Sequence, residues 1–414
     1  MRDQILSNLD DHGQLEKLYR GNKSLFKKDF QKLYPEIKRN SLADFWYERL
    51  NYEADEISWG SKNEILFIIT ACLIAGLLAK FPAIFAISEE YFYSRNIGFL
   101  VFPFLTAYFG WKNNISFKKI VVIIAIMLAC LVYINILPNN IESDTLILAC
   151  IHLPLLLWVL FGLSFTGNEL KHFKKSLDFL RFNGDVVVMS ALLIIAGIIM
   201  SGITIGLFNL IGYKIEEFYF EYVVIISLPA IPILATFLTQ TNPQLVNKVS
   251  PIIAKIFSPL VLIMLLIYLV AIMYSGKDPY NDREFLLIFN LLLIGVMALI
   301  FFSAAVRSTN IKSVSGIWVL FALSIVTIIV NTIALSAIIF RISEWGFTPN
   351  RVAVFSANVL ILIHLSLVTF KLYKVVLKKA PITEVGRYIA QYLPIYFIWT
   401  ILVIFLFPLL FNFK

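Results

Sequence analysis

The stretch Gly316–Arg351, "GIWVLFALSIVTIIVNTIALSAIIFRISEWGFTPNR", decides the fold. From Gly316 to Phe340 no residue carries a charge. That run exceeds the ~20 apolar residues with which an α-helix crosses a hydrocarbon core. Its apolar residues are continuous and do not alternate every second position, which excludes a strand of a transmembrane barrel. Immediately after it come Arg341, Glu344, Trp345, Gly346, Thr348, Pro349 and Arg351, so the chain meets a polar interface and turns back.

Working outward, similar runs recur along the 414 residues: approximately 64–86, 97–111, 120–137, 145–165, 185–210, 222–239, 256–274, 285–306, 316–340, 351–370 and 392–411. The second is short and contains Pro103, so its loss would invert everything downstream. The hydrophobic fraction of 59% and charged fraction of 15% suit this reading, as does a mean hydropathy of +0.81. Soluble domains are closer to half apolar and a quarter charged. The expected fold is therefore all-α, a polytopic transmembrane bundle of about eleven spans over residues 63–414, preceded by a small cytoplasmic helical prefix over residues 1–62.

Charge orients the chain. With the N-terminus in the cytoplasm, 27 of the 35 Lys and Arg residues fall on the inside and 8 on the outside. This asymmetry predicts N-in and C-out, and it places the Arg341–Arg351 turn on the extracytoplasmic face. The net charge of +8 follows the membrane flanks, so nucleic acid is not an expected partner. Because the first apolar run starts only near residue 64, no cleavable signal peptide is expected.

Within the prefix, Leu15, Leu18 and Tyr19 mark one helix. "SLFKKDFQKLY" predicts a second, capped by Ser24 and stopped by Pro35. A third follows Ser41, with Asp44 in the capping-box position. Three short helices are too few for a large core, so the prefix is expected to pack on the membrane part or on a protein partner.

Catalytic signatures are missing: no HExxH, GxSxG or phosphate-binding glycine loop occurs. Cys72, Cys130 and Cys150 lie in apolar runs without metal-ligand spacing, so no metal or cofactor is expected. His152 and His364 fall inside spans, where an ionisable group is a functional candidate; a neutral imidazole bonded to a neighbouring helix is the simpler reading. No Asp or Glu is expected inside the bundle, Asp185 and Glu221 standing at span ends. In the fifth span Ser190, Gly197, Ser201 and Thr204 form a small-residue seam, with Gly202 and Gly206 making a GxxxG nearby. Ser324, Thr327 and Asn331 share one face of the ninth span, and Ala353, Ala357 and His364 one face of the tenth. A polar pathway competes here with close helix packing, which is the commoner cause of such stripes. The proline clusters at Pro82 and at Pro229 and Pro232 invite a comparison with the broken helices of inverted-repeat transporters, although their depths do not match.

The turn itself has a helix-capping reading. Thr348 is a hydroxyl N-cap and Pro349 stands at N1, while Gly346 permits a sharp exit from the ninth span. Arg341 suits a helix C-terminus, but Arg351 sits against a positive helix start and needs an anion: Glu344, a lipid phosphate or a ligand. Glu344 closing the turn, with Trp345 at the interface, is the simplest choice.

"RISEWGFTPNR", with "FWYERLNYE" after "LYPEI", resembles a family of bacterial polytopic membrane proteins catalogued as a domain of unknown function. Gly346, Phe347, Thr348, Pro349 and Arg351 match its G-hydrophobic-T-P-x-R element. The resemblance implies a multi-pass protein of the bacterial inner membrane and supplies no activity. The expected role is non-enzymatic, in sensing, assembly or envelope maintenance through membrane lipids or a protein partner. A transporter or flippase for an anionic or lipid-like substrate is the alternative, with a polar cavity between the fifth, ninth and tenth spans as its mark.

Overall fold

The computed structural model describes residues 2–21, 23–38, 40–51, 60–140, 142–167, 173–210, 213–247, 249–274, 280, 283–307 and 314–413. It is 88% helical, with no strand among the described residues. The chain divides into two compact units, Met1–Ser58 and Trp59–Lys414.

The first unit holds four helices: α1 (Arg2–Ser7), α2 (His12–Gly21), α3 (Lys23–Ile37) and α4 (Ser41–Asn51). It closes a core of its own around Ile5, Leu15, Phe26, Phe30, Leu33, Trp46 and Leu50. Aromatic rings supply the volume that so short a chain otherwise lacks, with Trp46 5.2 Å from Phe26 and 5.4 Å from Tyr19. Arg49 lies 4.6 Å above Trp46 and pairs with Glu16, which also binds Arg20. Four local expectations need correction, the first being the Ser24 cap, since α3 already begins at Lys23. Helix α1 was missed, because its single buried anchor, Ile5, gives no periodicity. Pro35 lies inside α3, since it costs one hydrogen bond in a turn that ends two residues later. The cap of α4 is Asn40, whose Oδ1 accepts from Leu42 N at 2.8 Å and from Ala43 N; Ser41 is already helical.

The second unit starts with α5 (Lys62–Ala79), held by a capping box between Ser61 and Glu64. There follow α6 (Phe81–Phe85), α7 (Glu89–Asn96), α8 (Phe102–Lys112), α9 (Phe117–Ile136), α10 (Asp144–Thr166) and α11 (Phe173–Leu210). Next come α12 (Glu216–Phe218), α13 (Ile225–Ser227), α14 (Ala230–Thr241) and α15 (Pro243–Asn247). The rest is α16 (Val249–Tyr274), α17 (Arg283–Arg307), α18 (Val314–Trp345), α19 (Pro349–Val376), α20 (Ile382–Ile401) and α21 (Phe407–Leu410). Among the described residues eight stretches are long and apolar enough to cross a membrane, and a ninth is the pair Glu216–Ser227 and Ala230–Thr241, bent by 44°. This is a multi-span helical membrane protein.

The bend falls at Leu228–Pro229, where proline removes a backbone donor. The bent pair packs on α5 so closely that a Cβ on Gly76 would lie 2.5 Å from Ile226 Cγ2 and 2.8 Å from its carbonyl oxygen. Although the two proline-bearing spans are neighbours, α5 runs unbroken to Ala79 and so does not share the mid-span break. The second expected span is a 3-10 turn at Ile97–Leu100 followed by the eleven-residue α8. Pro103 is harmless there, because it stands in the first turn.

Helix ends gather into two sets. Glu64 binds Lys112 Nζ and Tyr108 Oη at the start of α5, and Asn113 Nδ2 donates to the carbonyls of Ser164 and Phe165. At the opposite ends, Lys80 Nζ binds Glu221, Tyr93 Oη donates to Ala79 O and Ser143 Oγ donates to Phe413 O. The Glu64, Lys80 and Ser143 contacts join the start of one helix to the end of another, whereas Asn113 ties the ends of α8 and α10 together, which puts the start of α10 at the far end. Ser61 and Phe413 therefore belong to opposite ends of the bundle.

Two features depart from expectation. Helix α11 begins twelve residues earlier than the fifth apolar run, because Leu177, Phe179 and Phe182 give its first third a buried face. The same face buries the Asp185 side chain, which is 6% exposed, so a carboxylate does enter the protein interior.

Candidate functional site

Helix α18 ends at Trp345, Gly346 turns the chain with φ +75°, and Thr348 opens α19 by accepting from Arg351 N at 3.3 Å. The Arg351 guanidinium folds back and donates from Nη1 to Trp345 O at 2.7 Å and Gly346 O at 2.8 Å. The anion sought for Arg351 is thus the negative carbonyl end of α18 itself. Among the described residues no ion pair joins Arg351 to Glu344. Arg341 Nε donates to Tyr280 O at 3.0 Å, and Trp345 lies within cation–π range of both arginines, 5.3 Å from Arg341 and 5.6 Å from Arg351.

The intramembrane candidates do not converge. Nδ1 of His152 lies 2.7 Å from Leu148 O, and the ring meets Trp399 edge-on. His364 is fully buried between Phe301 and Tyr392, with Nδ1 3.1 Å from Tyr396 Oη. Ser324 and Thr327 bond to carbonyls of their own helix, and Asn331 Nδ2 donates to Asn358 O. This ninth-span stripe is closed by packing. Ser201 and Thr204 also bond within their own helix, while Gly197, Gly202 and Gly206 face open space, with nothing within 4 Å of an added Cβ. Apart from the bond from Ser201 Oγ to Tyr219 Oη at 3.3 Å, the glycines of this seam make no close helix–helix packing among the described residues.

Sequence reading missed one opening among the described residues. A groove of about 900 Å³ lies between α5–α8 and α9, within the ~300–1,000 Å³ usual for ligand sites. It runs along α9 from Ile120 to Asn135, or ~22 Å at 1.5 Å per residue. Phe92, Phe99, Phe104, Trp111 and Met127 are among its walls. None of the side chains lining it is charged. Thr106 contributes to the wall, but its hydroxyl is sealed away and has no partner.

Its head end is built by a buried arginine. Arg95, 2% exposed, donates from Nη1 to Ile134 O and Leu137 O, and from Nη2 to Pro138 O and Asn139 Oδ1. It thus caps the C-terminus of α9 as Arg351 caps α18, and its guanidinium stacks 4.5 Å from the Tyr91 ring. Beside it Asn96 and Asn135 form a reciprocal amide pair at 2.8 and 3.1 Å. Tyr91 Oη donates to Asn135 O at 3.1 Å. The sequence signal was present in "YSRN", residues 93–96, where an arginine and an asparagine precede an apolar run. It reads as a solvated loop until α9 is placed beside it.

No family model, curated protein or solved structure matches the chain. The geometry of the groove therefore carries the functional argument by itself.

Proposed function

We propose that this protein resides in the bacterial inner membrane and binds a lipid-like molecule in the groove beside α9, acting through that contact and not by catalysis. The observation that carries the reading is the groove: a long, uncharged, aromatic-walled slot in a helical membrane unit, with a polar cluster at one end only. Eleven crossings, with Ser61 on the cytoplasmic side and Phe413 outside, are supported by the two sets of helix ends and the distribution of basic residues. The GxTPxR resemblance supports the bacterial assignment. A sensing or envelope role is the proposal that follows from such lipid contact.

Native mass spectrometry of the purified protein tests this directly. Retained lipid adducts are expected for the wild type and not for Ala107→Trp, which fills the groove from α8. Equal adducts on both proteins, at equal thermal stability, would sink the proposal. The transporter reading keeps one observation in its favour, the 44° break beside α5; it predicts movement of a lipid between leaflets in liposomes.

A further inference from the structure

The hydrogen-bond inventory at the head of the groove is unusually lopsided. Asn96 Nδ2 spends both hydrogens, on Phe92 O at 3.1 Å and Asn135 Oδ1 at 3.1 Å. Asn135 Nδ2 spends both of its own, on Leu131 O at 2.9 Å and Asn96 Oδ1 at 2.8 Å. The bonds to Phe92 O and Leu131 O, each four residues back on its own helix, fix the amide orientation. Flipping either amide would set an oxygen against a carbonyl oxygen. Tyr91 spends its single hydrogen on Asn135 O. Arg95 has both terminal nitrogens committed to backbone and Asn139 oxygens.

What remains is acceptor capacity. An amide oxygen has two lone-pair sites and a phenol oxygen keeps its lone pairs when it donates. Asn96 Oδ1, Asn135 Oδ1 and Tyr91 Oη each therefore have room to accept, and none of the three groups has a hydrogen left to give. All three residues line the groove.

We infer that the groove selects a neutral hydrocarbon molecule bearing a hydroxyl, which donates to the Asn96–Asn135–Tyr91 cluster while its chain lies along α9. This inference rests on the lipid-binding reading above and names its ligand class. A phosphate or carboxylate oxygen gains the field of Arg95 but brings only acceptors, and neither the cluster nor the committed terminal nitrogens of Arg95 offer it a hydrogen to replace its hydration. An ether or quinone carbonyl fails for the same reason, because acceptor faces acceptor. An ammonium head is disfavoured by the Arg95 charge beside the cluster. Two sources share the required chemistry, a free long-chain or prenyl alcohol and the hydroxyl of a diacylglycerol.

Competition labelling on the full-length protein in phosphatidylcholine nanodiscs tests this without any substitution. The probe is hexadecanol carrying a photoactivatable diazirine, with labelled peptides read between residues 91 and 135. Unlabelled hexadecanol is expected to compete about tenfold better than its methyl ether, the value of one hydrogen bond in a dry site, and better than palmitate. Farnesol and dioleoylglycerol then separate the two sources, and competition by either one supports the inference. Labelling of the groove with equal competition by alcohol and ether overturns the hydroxyl selection and leaves the lipid-binding reading standing. Stronger competition by palmitate also overturns the selection. Absence of any label in the groove overturns both.

Discussion

Arg351 and Arg95 show one device used twice. A guanidinium presents several donors in a fixed plane, and the end of a helix presents bare carbonyls. Bringing them together satisfies both without a carboxylate, which spares a second charge from desolvation. Lysine cannot reproduce the fork, so Arg351→Lys is expected to cost ~0.5–1.5 kcal/mol, the worth of the bond it fails to make. A fall in the thermal unfolding midpoint checks this, with Trp345 fluorescence as a local readout because both arginines lie against that ring. Thr348→Ala is expected to cost ~1 kcal/mol by loss of the N-cap, measured in the same way. The sequence made Gly346, Thr348 and Pro349 readable because capping is local. Arg351 was not, since its partners are backbone oxygens that no residue type announces.

Among the helices, the same small residue means opposite things in different places. Gly76 lets α5 touch the backbone of Ile226, and Gly76→Ala is expected to destabilise by ~1–3 kcal/mol through overpacking. Gly202 faces open space, so Gly202→Ala is expected to be neutral or to stabilise by up to ~1 kcal/mol through helix propensity. Comparing detergent-unfolding midpoints of the two variants decides between these roles. Sequence periodicity could not, because a lone small residue in an apolar run does not reveal what approaches it. The long apolar helices were legible for the converse reason: crossing hydrocarbon demands a length and composition visible in the chain itself. The groove was invisible because its head end is shaped by the short helix α7, and residues 87–96 read as a connection between the first two expected spans.

For the molecule as a whole, the paired helix ends make a topological statement that reporters can test. Fusions after Gly60 and after Phe413 are expected to report opposite compartments, and matching signals would refute an odd number of crossings. The first unit carries a pH signature of its own. Arg20, bonded to Oε1 at 2.8 Å, and Arg49 hold the Glu16 carboxyl below its usual 4.5. A depressed carboxyl contributes stability above its unfolded value and loses it as pH falls through the lowered folded value. Circular dichroism of a residue 1–58 fragment should therefore show full helix at neutral pH and loss of stability as pH falls below the usual carboxylate value of 4.5 and through the lowered folded one. A Glu16→Gln fragment should start less stable and change less.

Helix α11 has a physical consequence through the length of its apolar part. Residues 186–210 carry no charge and span ~37 Å at 1.5 Å per residue, whereas the hydrocarbon core of a bilayer is only ~30 Å thick. Beyond Val187 most of its side chains are exposed apolar groups, so this mismatch is met by lipid and not by protein. The helix must lean or thicken the leaflet around it, at a cost that accumulates with each ångström. A protein carrying such a rod is drawn toward thicker regions of a membrane, so where it gathers depends on the sheet that holds it.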